Sequence, residues 1–146
     1  MSCIFCEMIS GKVEANFVYQ SDEVVAFLSE EQPNPYKVVV APRKHIETIY
    51  DLDDQLAACI FQATVHVARA IRRASNCPGL SLVQANGHAA QQRVRHFHLH
   101  LLPRFPHDTA LGRVFLRWEG CPAERSELER LAADLHAQLS HQSHSC

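Results

Sequence analysis

The nine residues from His96 to Arg104 read His-Phe-His-Leu-His-Leu-Leu-Pro-Arg, and their alternation leaves few folds open. Successive side chains of a strand point to opposite faces. As a strand, the segment lines up His96, His98, His100 and Leu102 on one face and Phe97, Leu99 and Leu101 on the other. A helix is excluded, because residues two apart do not share a helix face. Consecutive histidines of such a row have Cα atoms roughly 6.6–6.8 Å apart, close enough for their rings to work on one small group.

The other elements follow from the same rules. Residues 3–11 form a short amphipathic turn or helix that stops at Gly11. Phe17–Gln20 and Val24–Leu28 are strands split by the turn cluster Ser21-Asp22-Glu23, hence a hairpin. A polar, proline-punctuated loop (29–35) leads to 36–41, where Val-Val-Val suits a strand buried on both faces. From Asp51 to Ala74, Leu52, Leu56, Ile60, Ala63, Val67 and Ile71 recur at the helical period. Acidic residues open this helix, arginines lie near its end, and Asn76, Pro78 and Gly79 stop it. Residues 80–84 are another strand, and a polar loop (86–95) precedes the histidines. Leu128, Leu131, Ala132, Leu135 and Leu139 mark a closing amphipathic helix. The expected fold is α+β, a largely antiparallel sheet of five strands with one long helix on one face and the histidines on the other.

At 146 residues the chain is expected to form one domain, with its core over about 3–104 and a helical extension over about 105–140. The net charge of −2 and the lack of a basic stripe argue against a nucleic-acid polymer as partner. No apolar run is long enough for a membrane span. Met-Ser-Cys-Ile-Phe-Cys lacks the regions of a signal peptide, so a cytoplasmic site and reduced or metal-bound cysteines are expected.

Imidazole titrates near neutrality, so adjacent histidines can divide roles, a neutral one attacking and a protonated one donating to an anion or leaving group. Phosphoryl transfer needs that division. Asn86, Gln91, Gln92 and Arg93 add N–H donors just upstream. Three histidines also make a common catalytic zinc set. Spacing alone leaves three readings open: acid–base and nucleophilic catalysis, a metal site, or histidines with no shared role.

Gln84 to Arg104 resembles the signature of the histidine triad family of nucleotide hydrolases and transferases, His-x-His-x-His preceded by an Asn, a small loop and a Gly-Gln pair. Cys-Ile-Phe-Cys at 3–6, Phe27 before the proline-rich loop, and Val-Val-Val-Ala-Pro-Arg-Lys-His-Ile at 38–46 match in order. The resemblance implies His98 as nucleophile toward an α-phosphate, forming a nucleotidyl-histidine that water hydrolyses. It implies His100 as phosphate-binding partner and His96 as the orienting member of the row. Asn86 and Gln92 match phosphate-side residues, and Phe27, Ser29 and Arg93 fall at the nucleotide pocket. The implied substrates are purine nucleoside phosphoramidates, adenylylated amines or dinucleoside polyphosphates, and the implied assembly is a homodimer. Cys3, Cys6, His45 and His96 match a structural zinc set of some bacterial members, and no organic cofactor is implied.

Several positions depart from the family pattern. Ser29 stands where an Asp usually holds the ribose hydroxyls, and Glu30 where an apolar residue lies beside the base. Gln91 replaces the Gly of Gly-Gln, Arg93 replaces a Ser, Thr or Glu, and Gln32, Tyr36 and Lys37 break the loop pattern. Arg93 suits a more anionic substrate. These changes also motivate an alternative, a nucleotide-binding or protein-interaction module with little turnover.

Overall fold

In a computed structural model, residues 2–109, 124–126, 129, 130, 133 and 137 are described. Two compact units are present, Met1–Phe115 and Leu116–Cys146. In the first, the elements are α1 (Ile4–Ile9), β1 (Phe17–Gln20), β2 (Val24–Leu28), β3 (Val38–Pro42), α2 (Asp54–Ser75), β4 (Gly79–Val83) and β5 (Leu99–Arg104), with short 3-10 turns at Ile49–Asp51 and His88–Ala90. The five strands form one antiparallel sheet in the order β1-β2-β3-β5-β4. The mixed α+β architecture is as the sequence predicts.

Local chemistry sets the boundaries. The predicted helix from Asp51 resolves into a 3-10 turn and then α2, because the Asp53 carboxylate accepts the Leu56 N–H at 2.8 Å and caps α2 there. Asn76 ends α2 in the left-handed conformation, φ 53°. Gly11 turns the chain out of α1 with φ 79°.

The sheet separates two cores. On one face Val24, Ala26, Val38, Val40, Phe97 and Leu101 pack against Leu56, Ile60, Ala63, Val67 and Ile71 of α2. On the other, Val25, Phe27, Val39 and Ala41 pack against Phe5 and Met8 of α1. β3 is buried along its whole length. Phe97, Leu99 and Leu101 lie on the α2 side, as their alternation requires.

Two sequence expectations need adjustment. Regular pairing of β5 begins only at Leu99, opposite Val40, so His96 and His98 precede the strand. Beyond that rung β3 runs out at Pro42, which has no N–H to offer, and the Phe97 N–H donates instead to the Ile46 carbonyl at 2.6 Å. The closing helix was expected on Leu128, Leu131, Ala132, Leu135 and Leu139, which lie outside the described residues; Arg125, Ser126, Glu129, Arg130, Ala133 and Ala137 are helical and exposed. Among the described residues no helix is long and apolar enough to cross a membrane.

Candidate active site and metal centre

The row of histidines divides at His96. Its ring is fully buried, and Nε2–H donates to the Pro42 carbonyl at 2.8 Å. That bond fixes the tautomer and leaves the Nδ1 lone pair facing Cys3 Sγ at 3.5 Å and Cys6 Sγ at 3.6 Å. Cys6 Sγ also lies 3.4 Å from His45 Nδ1. The four ligand atoms of Cys3, Cys6, His45 and His96 lie within 4.8 Å of one another, and the group could hold a metal ion. Burial, with the neighbouring Cys3, pushes the Cys6 thiol up. Burial holds His96 below the ordinary imidazole range, against the opposing pull of the Pro42 carbonyl.

His98 turns the other way. Its Nδ1–H donates to the backbone carbonyl of His96 at 2.6 Å. A carbonyl only accepts, so Nδ1 carries the proton and Nε2 carries the lone pair. The His98 ring is 4.8 Å from that of His100, edge to face, and 5.1 Å from Phe5. Burial lowers the His98 pKa, and the charge of Lys37 lowers it further against the bond to His96. His100 is pushed down to about 3 by burial first, then by His98, Lys37 and Arg93. Both rings are therefore neutral at pH 7 before an anion arrives.

A pocket of about 290 Å³ opens over these two rings, near the lower end of small-molecule sites. Phe5, Phe27, Ser29, Lys37, Gln92 and Arg93 help to line it. Larger space between α2 and β4, about 440 Å³, is lined largely by apolar side chains and contains no histidine.

The structure brings most of the sequence-predicted residues together, in differing conditions. Phe27 reaches the pocket but is buried, packed edge-on to Phe5 and Phe17. Ser29 sits at the end of β2, half-buried. Arg93 is exposed and lies 3.8 Å from Glu31, a weak surface pair. Gln92 lines the pocket, yet its amide is engaged by the loop: Oε1 accepts the Gly87 N–H and Nε2 donates to the Glu47 carbonyl, both at 2.7 Å. Asn86 is not brought into the lining. Its Oδ1 accepts the Ile49 N–H at 2.8 Å, and its amide pairs with Gln84. Gln91 keeps a left-handed backbone, φ 63°, although it is not glycine.

Sequence reasoning missed two site residues. Phe5 touches the rings of both His96 and His98, and so belongs to the metal group and the pocket at once. Lys37 is 2% exposed and lines the pocket. The signal for Lys37 was present: two residues before Val39, on the histidine face of the valine run it precedes, it is the one charge in the stretch 36–41. Gln32, an oddity of the loop, clamps it. Its Nε2 donates to the carbonyls of Ser29 and Lys37 at 2.7 and 2.8 Å, and its Oε1 accepts the Lys37 N–H at 3.0 Å.

A sheet of this order, with paired histidines over a pocket, is the architecture of a known class. The family model described as HIT domain matches residues 10–107, and the chain belongs to the HIT, or histidine triad, family. A crystal structure of a HIT family member from Bacillus subtilis superposes with a TM-score of 0.87 at 31% identity, covering 99% of this chain and 100% of that one. An adenosine 5'-monophosphoramidase of Schizosaccharomyces pombe is 26% identical over 139 residues, 95% of this chain and 99% of its own. A zinc-bound histidine triad protein from Mycobacterium smegmatis matches with a TM-score of 0.70 at 29% identity over 96% of both chains.

Proposed function

We propose that the protein is a nucleotide hydrolase or transferase that acts on the α-phosphate of a purine nucleoside phosphoramidate, adenylylated amine or dinucleoside polyphosphate. The observation that carries this reading is the His98 tautomer. With Nδ1–H held by the His96 carbonyl, the Nε2 lone pair is available in the pocket at neutral pH. In the proposed reaction Nε2 attacks phosphorus, the P–N or P–O bond to the leaving group breaks, and the leaving group takes a proton. Water then cleaves the nucleotidyl-imidazole bond and returns His98 to its neutral form. His100 is the partner that binds the phosphate; an arriving anion raises its pKa and lets it take and donate a proton. His96 positions the row through its carbonyl.

The metal group supports a structural zinc. Tetrahedral zinc with usual bond lengths holds sulfur and nitrogen ligands about 3.6 Å apart, and the sulfur–nitrogen distances are 3.4–3.6 Å. Cys3, Cys6, His45 and His96 would fill all four positions, so the ion would staple α1 to the loops around β3 and β5 without an open site for substrate.

The test is release of AMP from adenosine 5'-phosphoramidate. Loss of about a thousandfold or more in kcat/KM is expected for His98→Ala. Equal, negligible activity of wild type and variant, with tight AMP binding by both, would support the little-turnover alternative. Metal analysis of the same proteins separates the sites: zinc should be lost in Cys3→Ser and retained in His98→Ala.

A further inference from the structure

Lys37 has an unusual combination of burial and charge. It stands just beyond the Leu28–Val38 pair that ends the β2–β3 register, where the Ser29 N–H donates to the Lys37 carbonyl at 3.1 Å. Val39 pairs with His100, so Lys37 is a diagonal neighbour of that histidine. Diagonal Cα atoms are roughly 7–8 Å apart, within reach of a long side chain. Nζ donates to Ser29 Oγ at 3.3 Å, a neutral partner. Among the described residues Lys37 forms no ion pair. Glu31, whose field it feels, is exposed and lies 3.8 Å from Arg93 instead, and Glu30 is exposed on the pocket lining. Burial drives the Lys37 pKa down, as expected for an ammonium without a close carboxylate.

A buried cation without a counter-ion is costly, and removing the charge or bringing an anion to it relieves that cost. The direction it faces is set by its neighbours: it lines the same pocket as His98, His100 and Arg93, and its charge reaches both imidazoles. The Gln32 clamp fixes its backbone from both sides and the bond to Ser29 Oγ holds its ammonium before any ligand arrives.

We propose that Lys37, with Ser29, forms an oxyanion subsite that takes a second phosphate group of the substrate, beside the phosphate that His98 attacks. The inference rests on the nucleotide reading of the pocket and narrows it: the preferred ligand carries two phosphates, either in a chain or on separate positions of the ribose.

The test is calorimetric titration of the full chain with AMP, ADP and adenosine 3',5'-bisphosphate, in wild type, Lys37→Met and Lys37→Arg. Wild type should bind ADP or the bisphosphate roughly tenfold tighter than AMP or better, and the one preferred identifies where the second phosphate sits. Lys37→Met should bring that ratio close to one, and Lys37→Arg should retain most of it. Thermal melts without ligand provide a fold control: Lys37→Met should melt no lower than wild type, because a buried charge has been removed. The proposal is overturned if wild type shows no preference. It is also overturned if Lys37→Met keeps the preference, or weakens AMP and the two-phosphate ligands by one common factor, which would place Lys37 on the attacked phosphate. If no nucleotide binds at all, the nucleotide reading fails. Inorganic pyrophosphate then decides the subsite: binding lost in Lys37→Met upholds it, and equal or absent binding in both overturns it.

Discussion

On the α2 face of the sheet, β2, β3 and the chain around β5 bury Val24, Ala26, Val38, Val40, Phe97 and Leu101 against one helix stripe, where the buried Thr64 hydroxyl is bonded to the Ile60 carbonyl. On the opposite face the same segments bury Lys37, His96 and His98 beside Phe5 and Phe27. The first face is held by apolar area, and a vacancy there is costly. The second spends much of its packing on polar groups whose partners are backbone carbonyls, thiols and a hydroxyl. The difference teaches that apolar packing and polar site groups are carried by alternate residues of the same segments, β3 and β5 with the residues just before them. Substitution should therefore separate them.

Leu101→Ala should give the largest stability effect, about 2–5 kcal/mol for a fully buried leucine, with a Tm fall of roughly 10 °C. Below its melting range this variant should keep kcat/KM within a few-fold of wild type. His98→Ala should do the reverse, losing activity with little loss of Tm. If Leu101→Ala were inactive while folded by circular dichroism, the two faces would not be separable.

A smaller effect is expected at the latch beyond β5. Arg104 donates from Nε and Nη2 to Asp108, whose Oδ2 also accepts the Phe105 N–H and the Asn34 amide, tying the β2–β3 loop to β5. Asp108→Ala leaves Arg104 and Asn34 without these bonds and should cost about 2 kcal/mol, read from the urea midpoint. An unchanged midpoint would show the latch to be a surface pair.

The pH dependence sharpens the comparison. His100 falls from an ordinary 6.5 to about 3 in the folded protein. Between those values the unfolded chain binds a proton that the folded one does not, so stability rises with pH and is lost as pH falls below 6.5. His100→Asn should flatten that acid-side slope by up to about 1.4 kcal/mol per pH unit. Parallel slopes for wild type and variant would mean His100 is protonated in the fold. The smallest effect is at Tyr36, where φ is 72° and the side chain is half exposed. Tyr36→Gly relieves a left-handed conformation but adds freedom to the unfolded chain, for a net gain of about 0.5 kcal/mol; a loss of 1 kcal/mol or more would show that the ring makes contacts that matter.

Much of this was legible in the sequence because period-2 alternation fixes the face of a residue before its partners are known. It placed Phe97, Leu99 and Leu101 under α2, while the unbroken Val-Val-Val run marked a strand buried on both faces. The Cys3, Cys6, His45 and His96 group was legible only through the resemblance to the histidine triad family, and the fold brings its four ligand atoms within 4.8 Å of one another. What alternation does not reveal is which polar atoms the backbone has already claimed. Asn86 and Gln92 read as donors to a ligand, but the Gln92 amide is taken by main-chain groups of nearby loops, and the Asn86 amide by the Ile49 N–H and the Gln84 side chain. The early start assigned to β5 failed for a related reason. Whether a strand continues depends on its neighbour's N–H groups, and the neighbour ends in Pro42.

Gln32 closes the loop between β2 and β3 entirely through main-chain groups, at Ser29 and on both sides of the Lys37 peptide. That makes the loop a module in the engineering sense. Its course is held by that amide and by Asn34, which donates to the Pro103 carbonyl and to Asp108, so the side chains at 29, 30 and 37 can be exchanged for others while that frame is kept. The histidine segment has no such liberty, because a single residue inserted between His98 and Leu99 would reverse the faces of His96 and His98 relative to β5. Variation in what this scaffold accepts thus has a cheap route through the loop and a forbidden one through the strand, and a library built on it should randomise 29, 30 and 37 with Gln32 held constant.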